Sequence, residues 1–269
     1  MPHLVTHRPR LTNLRSDDET DNSHKAWETF SAFSYELGGV MFVIGSVCFF
    51  PALSSYLALG DGLFIAGSVL YLLVTGHELL EVHKYWRLHD TATFANRIEF
   101  VAAWSYVLGS VMFVVGSVFF LPAVDMIAPG AWLFIVGSAL FFIGGLVNIL
   151  QVVEAPSLIY MQLFNFTVAL FVIGSALFAE ASIPYLWHLG TTAQRQMSTF
   201  DAAQYVFGSV LFLVGGMAIF YRKLVRNRLE TFCHARGLGT MFISALQSEI
   251  HDKARLVPRI TEKGSKRAE

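Results

Sequence analysis

Apolar positions gather into six long stretches parted by turns, and charged residues within them fall only near the ends. They read as roughly 36–57, 61–81, 103–124, 130–151, 159–180 and 202–221. Crossing about 30 Å of hydrocarbon takes roughly 20 apolar residues as a helix, which satisfies its own backbone polar groups. Each stretch meets that length, so the pattern predicts an all-α, six-span transmembrane helical bundle. Pro51, Pro122, Pro129, Pro156 and Pro184 fall in the turns. Tyr35, Tyr56, Trp86, Trp104, Tyr106, Trp132, Tyr160, Trp187, Tyr205 and Tyr221 fall near the ends. There an interfacial aromatic belt is expected.

Composition agrees with the pattern and removes one class of protein. Of 269 residues, 54% are hydrophobic and only 14% charged, and the mean hydropathy is +0.53. Soluble domains carry about 25% charged residues, so a soluble globular enzyme is excluded. The formal net charge of -1 gives no nucleic-acid footprint. Cys48 and Cys233 lie too far apart in sequence to suggest a disulfide framework or a paired-cysteine metal site. The first 30 residues contain no apolar stretch of the kind a cleavable secretory signal needs. Residues 1–24 and 257–269 read as disordered tails.

Placement of positive charge sets an orientation. The amino-terminal tail, the second connection and the carboxy-terminal tail carry 18 of the 19 lysines and arginines; the fifth connection carries only Arg195. The expectation is therefore a multi-pass protein of the cell (inner) membrane with both termini cytoplasmic. The tail opening RKLVRNR at Arg222 reads as an anchor for anionic lipid. A short amphipathic helix is expected over 240–256.

The stretches repeat. Residues 34–51 read SYELGGVMFVIGSVCFFP and residues 105–122 read SYVLGSVMFVVGSVFFLP; LFIAGSVLYLL at 63–73 matches LFIVGSALFFI at 133–143. A weaker third copy is LFVIGSALF at 170–178 with GSVLFL at 208–213. The chain thus reads as a polar tail (1–33), three tandem helical hairpins (34–87, 100–155 and a divergent 159–222) and a basic tail (223–269). Units of two spans all keep one orientation, so a symmetry axis would run along the membrane normal. Every span contains a Gly-Ser pair, and four have a second small pair seven residues away. These stripes allow close helix approach in lipid, where no hydrophobic force joins helices. The expected packing residues are Gly38, Gly45, Ser46, Gly67, Ser68, Gly109, Gly116, Ser117, Gly137, Ser138, Gly144, Gly174, Ser175, Gly208, Ser209 and Gly215. The serines are expected to bond back to carbonyls or across helices.

Paired spans with a GSxxF or GSxLF core and a proline-containing turn resemble the YrhK-type domain, a two-helix bacterial membrane module. The resemblance covers 34–85 and 105–155 well and 160–222 poorly. It implies an integral membrane protein and brings no catalytic residues with it.

Few residues offer chemistry. His77 and Glu81 lie four apart on one helix face, with Glu78 and His83 beside them, so His77, Glu81 and His83 form a weak metal-ligand candidate. The matching positions of the second repeat are Val147, Gln151 and Val153, so the repeat does not keep the set. Glu36, Glu78, Asp125 and Glu180 all fall near span ends, which predicts a bundle interior free of charge. Asn148, Gln151, Gln162, Asn165 and Gln204 are the neutral polar candidates for a cavity lining. No catalytic residue and no cofactor are expected. The expected partner is the lipid bilayer and not nucleic acid; the residues do not specify a protein partner or a homo-oligomer. These readings point to a non-catalytic packing, scaffold or accessory role, with a small-solute channel or transporter around a pseudo-threefold axis as the alternative.

Overall fold

The computed structural model describes residues 19–88, 94–150, 158–187 and 191–235. The chain divides into two units, 1–220 and 221–269. The second is described only as far as Ala235, so the amphipathic helix expected at 240–256 lies outside the described residues, as do both tails and the 151–157 connection with Gln151. The side chains of Trp86 and Tyr160 are likewise outside them.

Six α-helices make up the first unit: α1 (Glu19–Cys48), α2 (Leu57–Leu88), α3 (Phe94–Phe120), α4 (Ile127–Leu150), α5 (Leu158–Ser182) and α6, which runs Thr191–Ala235 and so crosses into the second unit. Among the described residues there is no strand. All six are long and apolar enough to cross a membrane. Helices α1, α2, α3 and α6 extend well past their apolar stretches at one or both ends, because polar residues can continue a helix that hydropathy alone would end. Short 3-10 turns at Pro51–Tyr56 and Ile183–Leu186 close the first and third hairpins, each with proline at its start. The missing N–H of proline costs nothing there. In the second hairpin Asp125 takes a left-handed backbone (φ 50°), a conformation that aspartate tolerates better than most residues.

The helices close into a ring. Within the first hairpin, Gly38 and Gly67 face one another, as do Gly45 and Gly60: a Cβ on any of these four would lie 2.9–3.3 Å from the carbonyl oxygen of its opposite number. Gly109 with Gly137 and Gly116 with Gly130 repeat this contact in the second hairpin, and Gly174 with Gly208 in the third. Between hairpins, Thr75 of α2 meets Ser110 of α3 at 3.4 Å. A Cβ on Gly145 of α4 would reach Val172 of α5 at 2.4 Å. Gly39 of α1 lies under the backbone of Leu213 of α6, and Ser46 meets Ser209 at 2.9 Å across the same pair of helices. Backbones come this close only where side chains are absent. Gly60 and Gly130 are partners that the Gly-Ser stripes do not include.

All six serines of the Gly-Ser pairs are buried. Ser46, Ser117 and Ser175 donate to the carbonyls of Phe42, Phe113 and Phe171, each at 2.7 Å. Ser68 and Ser138 depart from the expectation: their hydroxyl oxygens are buried without a hydrogen-bond partner.

Candidate functional site

The interior of the ring is aromatic, and its rings repeat threefold. Phe64 of α2, Phe134 of α4 and Tyr205 of α6 form a near-equilateral triangle, with centroids 6.1, 6.2 and 6.3 Å apart. Each packs on a ring of its own hairpin's first helix: Phe42–Phe64 at 5.0 Å, Phe113–Phe134 at 4.7 Å and Phe178–Tyr205 at 5.3 Å. Two turns toward the connections between hairpins, Tyr71, Phe141 and Phe212 repeat the arrangement against the same three partners at 5.3, 5.5 and 5.2 Å. A further ring then caps each: Tyr35–Tyr71 at 4.9 Å, Tyr106–Phe141 at 5.8 Å and Phe171–Phe212 at 5.3 Å. The heptad puts these rings on one face of each helix, so all of them look inward together.

Two corrections follow. Tyr35, Tyr106 and Tyr205, expected in the interfacial belt, are core residues at 2–4% exposure. Each lies seven residues from an axial phenylalanine and so shares its stripe. Of the expected belt, Tyr56, Trp104, Trp132, Trp187 and Tyr221 are exposed. The second correction concerns the third hairpin, where the sequence match sets Phe171 against Phe42. In the bundle Phe178 takes the place of Phe42, one heptad further along.

The interior also holds carboxylates, which overturns the expectation of a bundle free of buried charge. Asp61, Glu78, Glu99 and Asp201 are 1–6% exposed. Asp61, Glu99 and Asp201 border or precede the apolar stretches of their spans, but α2, α3 and α6 begin earlier than the stretches do and carry them inside. Asp61 and Asp201 lie about one helical turn from the triangle, toward the hairpin turns, and each has a buried oxygen without a hydrogen-bond partner. Near them Tyr205 and Ser182 share a hydrogen bond of 2.7 Å. At the opposite end Glu78 is within electrostatic reach of Tyr35 and Tyr106, and Asn148 donates to the Tyr106 hydroxyl at 2.9 Å. The repeat relation places Glu78 and Asn148 at matching positions of α2 and α4. Two polar layers therefore flank the aromatic core.

The candidate metal ligands do not gather. His77 Nδ1 stands 3.9 Å from Glu81 Oε1, and the His77 ring packs on Trp27 at 3.8 Å between centroids, tilted by 31°. His83 is exposed. Among the described residues no three histidine, cysteine, aspartate or glutamate side chains are grouped as a metal site would need. Of the neutral polar candidates, Asn148 and Gln204 are buried, each with an unpartnered carbonyl oxygen. Gln162 and Asn165 face outward.

A family model described as YrhK-like protein matches residues 25–82 and again 96–153. The chain carries two YrhK-like repeats in tandem. The first YrhK-like match takes in most of α1 and α2, the second α3 and α4; α5 and α6 lie beyond both. The unmatched pair nonetheless repeats the ring contacts of the two YrhK-like hairpins to within about 1.5 Å. No curated protein and no solved structure matches the chain.

Proposed function

We propose that the protein is a closed, non-conducting bundle of the cell (inner) membrane, with both termini cytoplasmic and a scaffold or accessory role. The observation that carries this reading is the filled axis. The Phe64, Phe134 and Tyr205 triangle stands where three hairpins would have to leave a path, and its members are 0–2% exposed. Conduction would require at least one of these large rings to leave a close-packed site. The glycine and serine stripes serve as packing surfaces in this reading. The domain limits of the three hairpins and two tails are carried forward with it.

A second reading, a proton or cation path, has one observation in its favour: buried carboxylates on both sides of the aromatic layer. Purified protein in liposomes separates the two. Proton, potassium and small neutral solute fluxes are expected to equal those of empty vesicles. Flux above that background, abolished by Asp61→Asn or Glu78→Gln, would establish the path and remove the scaffold reading. Orientation rests on the distribution of lysine and arginine alone. With Cys48 and Cys233 replaced, Ala123→Cys is expected to react with an impermeant maleimide from outside the cell; labelling only from the cytoplasm reverses the topology.

A further inference from the structure

The aromatic core is not filled completely. Between the triangle and the polar layer at the connection end lies a cavity of about 20 Å³, walled by the rings of Phe42, Tyr71, Phe113, Phe141 and Phe212 and by Ser68, Thr75 and Ser110, with Tyr35, Tyr106 and Phe171 completing the lining. A void needs roughly 10–15 Å³ to hold one water, and this one exceeds it. Its walls come from all three hairpins, which puts it beside the pseudo-threefold axis.

Its chemistry excludes the usual tenant. A buried water needs two to four polar partners, and no polar atom presents surface to this void. Three hydroxyl residues contribute to the wall, yet Thr75 and Ser110 donate to the carbonyls of Tyr71 and Tyr106 at 2.9 Å, and the Ser68 oxygen is sealed and unpartnered. What the void does offer is ring surface, which is polarizable and rewards a guest by dispersion at many contacts. No lysine or arginine lines it, so an anion has nothing to bind. A solute that dissolves in hydrocarbon also reaches a bundle embedded in a bilayer without crossing water.

We propose that this axial cavity is a binding site for a small apolar molecule of the size of dioxygen or xenon. Ser68→Val is expected to fill it: the branched side chain adds a methyl group at the wall, and no hydrogen bond is lost because the hydroxyl has no partner. Ser138→Val is the matched control, since Ser138 occupies the repeat-equivalent position, is equally buried and unpartnered, and does not line the cavity.

The test is diffraction from crystals of the full chain under xenon pressure. Wild type and Ser138→Val are expected to show one anomalous peak in the cavity, and Ser68→Val none. The proposal is overturned by wild-type crystals without xenon there, by an equal peak in Ser68→Val, or by an ordered water bonded in the void. Because the wild-type measurement alone can refute the site, a variant that failed to fold would not shelter it.

Discussion

Glycines in these helices are not interchangeable, and the difference is steric. A Cβ on Gly39 would stand 2.8 Å from the Cα of Leu213, a backbone atom that moves only if α6 moves. A Cβ on Gly62 would meet nothing within 4 Å. Gly39→Ala must therefore wedge α1 from α6, and overpacking of this kind costs about 1–3 kcal/mol. Gly62→Ala removes backbone freedom from an exposed helical position at no steric cost, which should stabilise by roughly 0.5–1 kcal/mol. Thermal melts of both variants in one detergent check the pair. Equal melting temperatures would mean that the α1 and α6 contact contributes nothing to stability. Neither residue stands out in the sequence: Gly39 sits beside Gly38 in a small pair, and Gly62 resembles any glycine of a span.

At the scale of the helix, six spans and their hairpin pairing were legible, because 20-residue apolar stretches and two near-identical strings leave few alternatives. The start of each helix was less so. Hydropathy marks where a helix enters lipid, whereas hydrogen bonding marks where it begins, and the gap between them hid Asp61, Glu99 and Asp201 inside the bundle. The register of α5 is ambiguous in the sequence for a different reason. A stripe of small and aromatic residues repeating every seven positions fits its partner almost as well after a slip of seven. The string LFVIGSALF favours Phe171 as the counterpart of Phe42, but the turn decides otherwise. Helix α5 continues through Ser182 before the 3-10 turn at Ile183–Leu186, which sets Gly174 rather than its next-turn neighbours against Gly208. Ser182 then donates to the carbonyl of Phe178 at 2.7 Å, as Ser46 and Ser117 do to Phe42 and Phe113. A candidate site was scarcely legible at all. The axial rings come from residues 64, 134 and 205, and only the pairing of hairpins brings them together.

The six helices of the first unit repeat an arrangement three times in one chain, and in the ring layer the repeat is broken by a single hydroxyl. Tyr205 differs from Phe64 and Phe134 by a hydroxyl, which meets Ser182 at 2.7 Å. In the second hairpin Ser117 holds the position that Ser182 holds in the third. A hydroxyl on residue 134 would thus find a serine oxygen waiting, whereas one on residue 64 would face Ser46, already engaged with Ser209. Phe134→Tyr is accordingly expected to change stability by less than about 1 kcal/mol, since the added polar group is satisfied where it is buried. Phe134→Ala removes one side of the triangle and is expected to cost about 3–5 kcal/mol, as large aromatic truncations in packed cores do. Chemical or thermal unfolding of the two variants in lipid nanodiscs measures both effects on one scale. A Phe134→Tyr variant as unstable as Phe134→Ala would mean that the three hairpins are not equivalent around the axis, and that the matching ring distances conceal different surroundings.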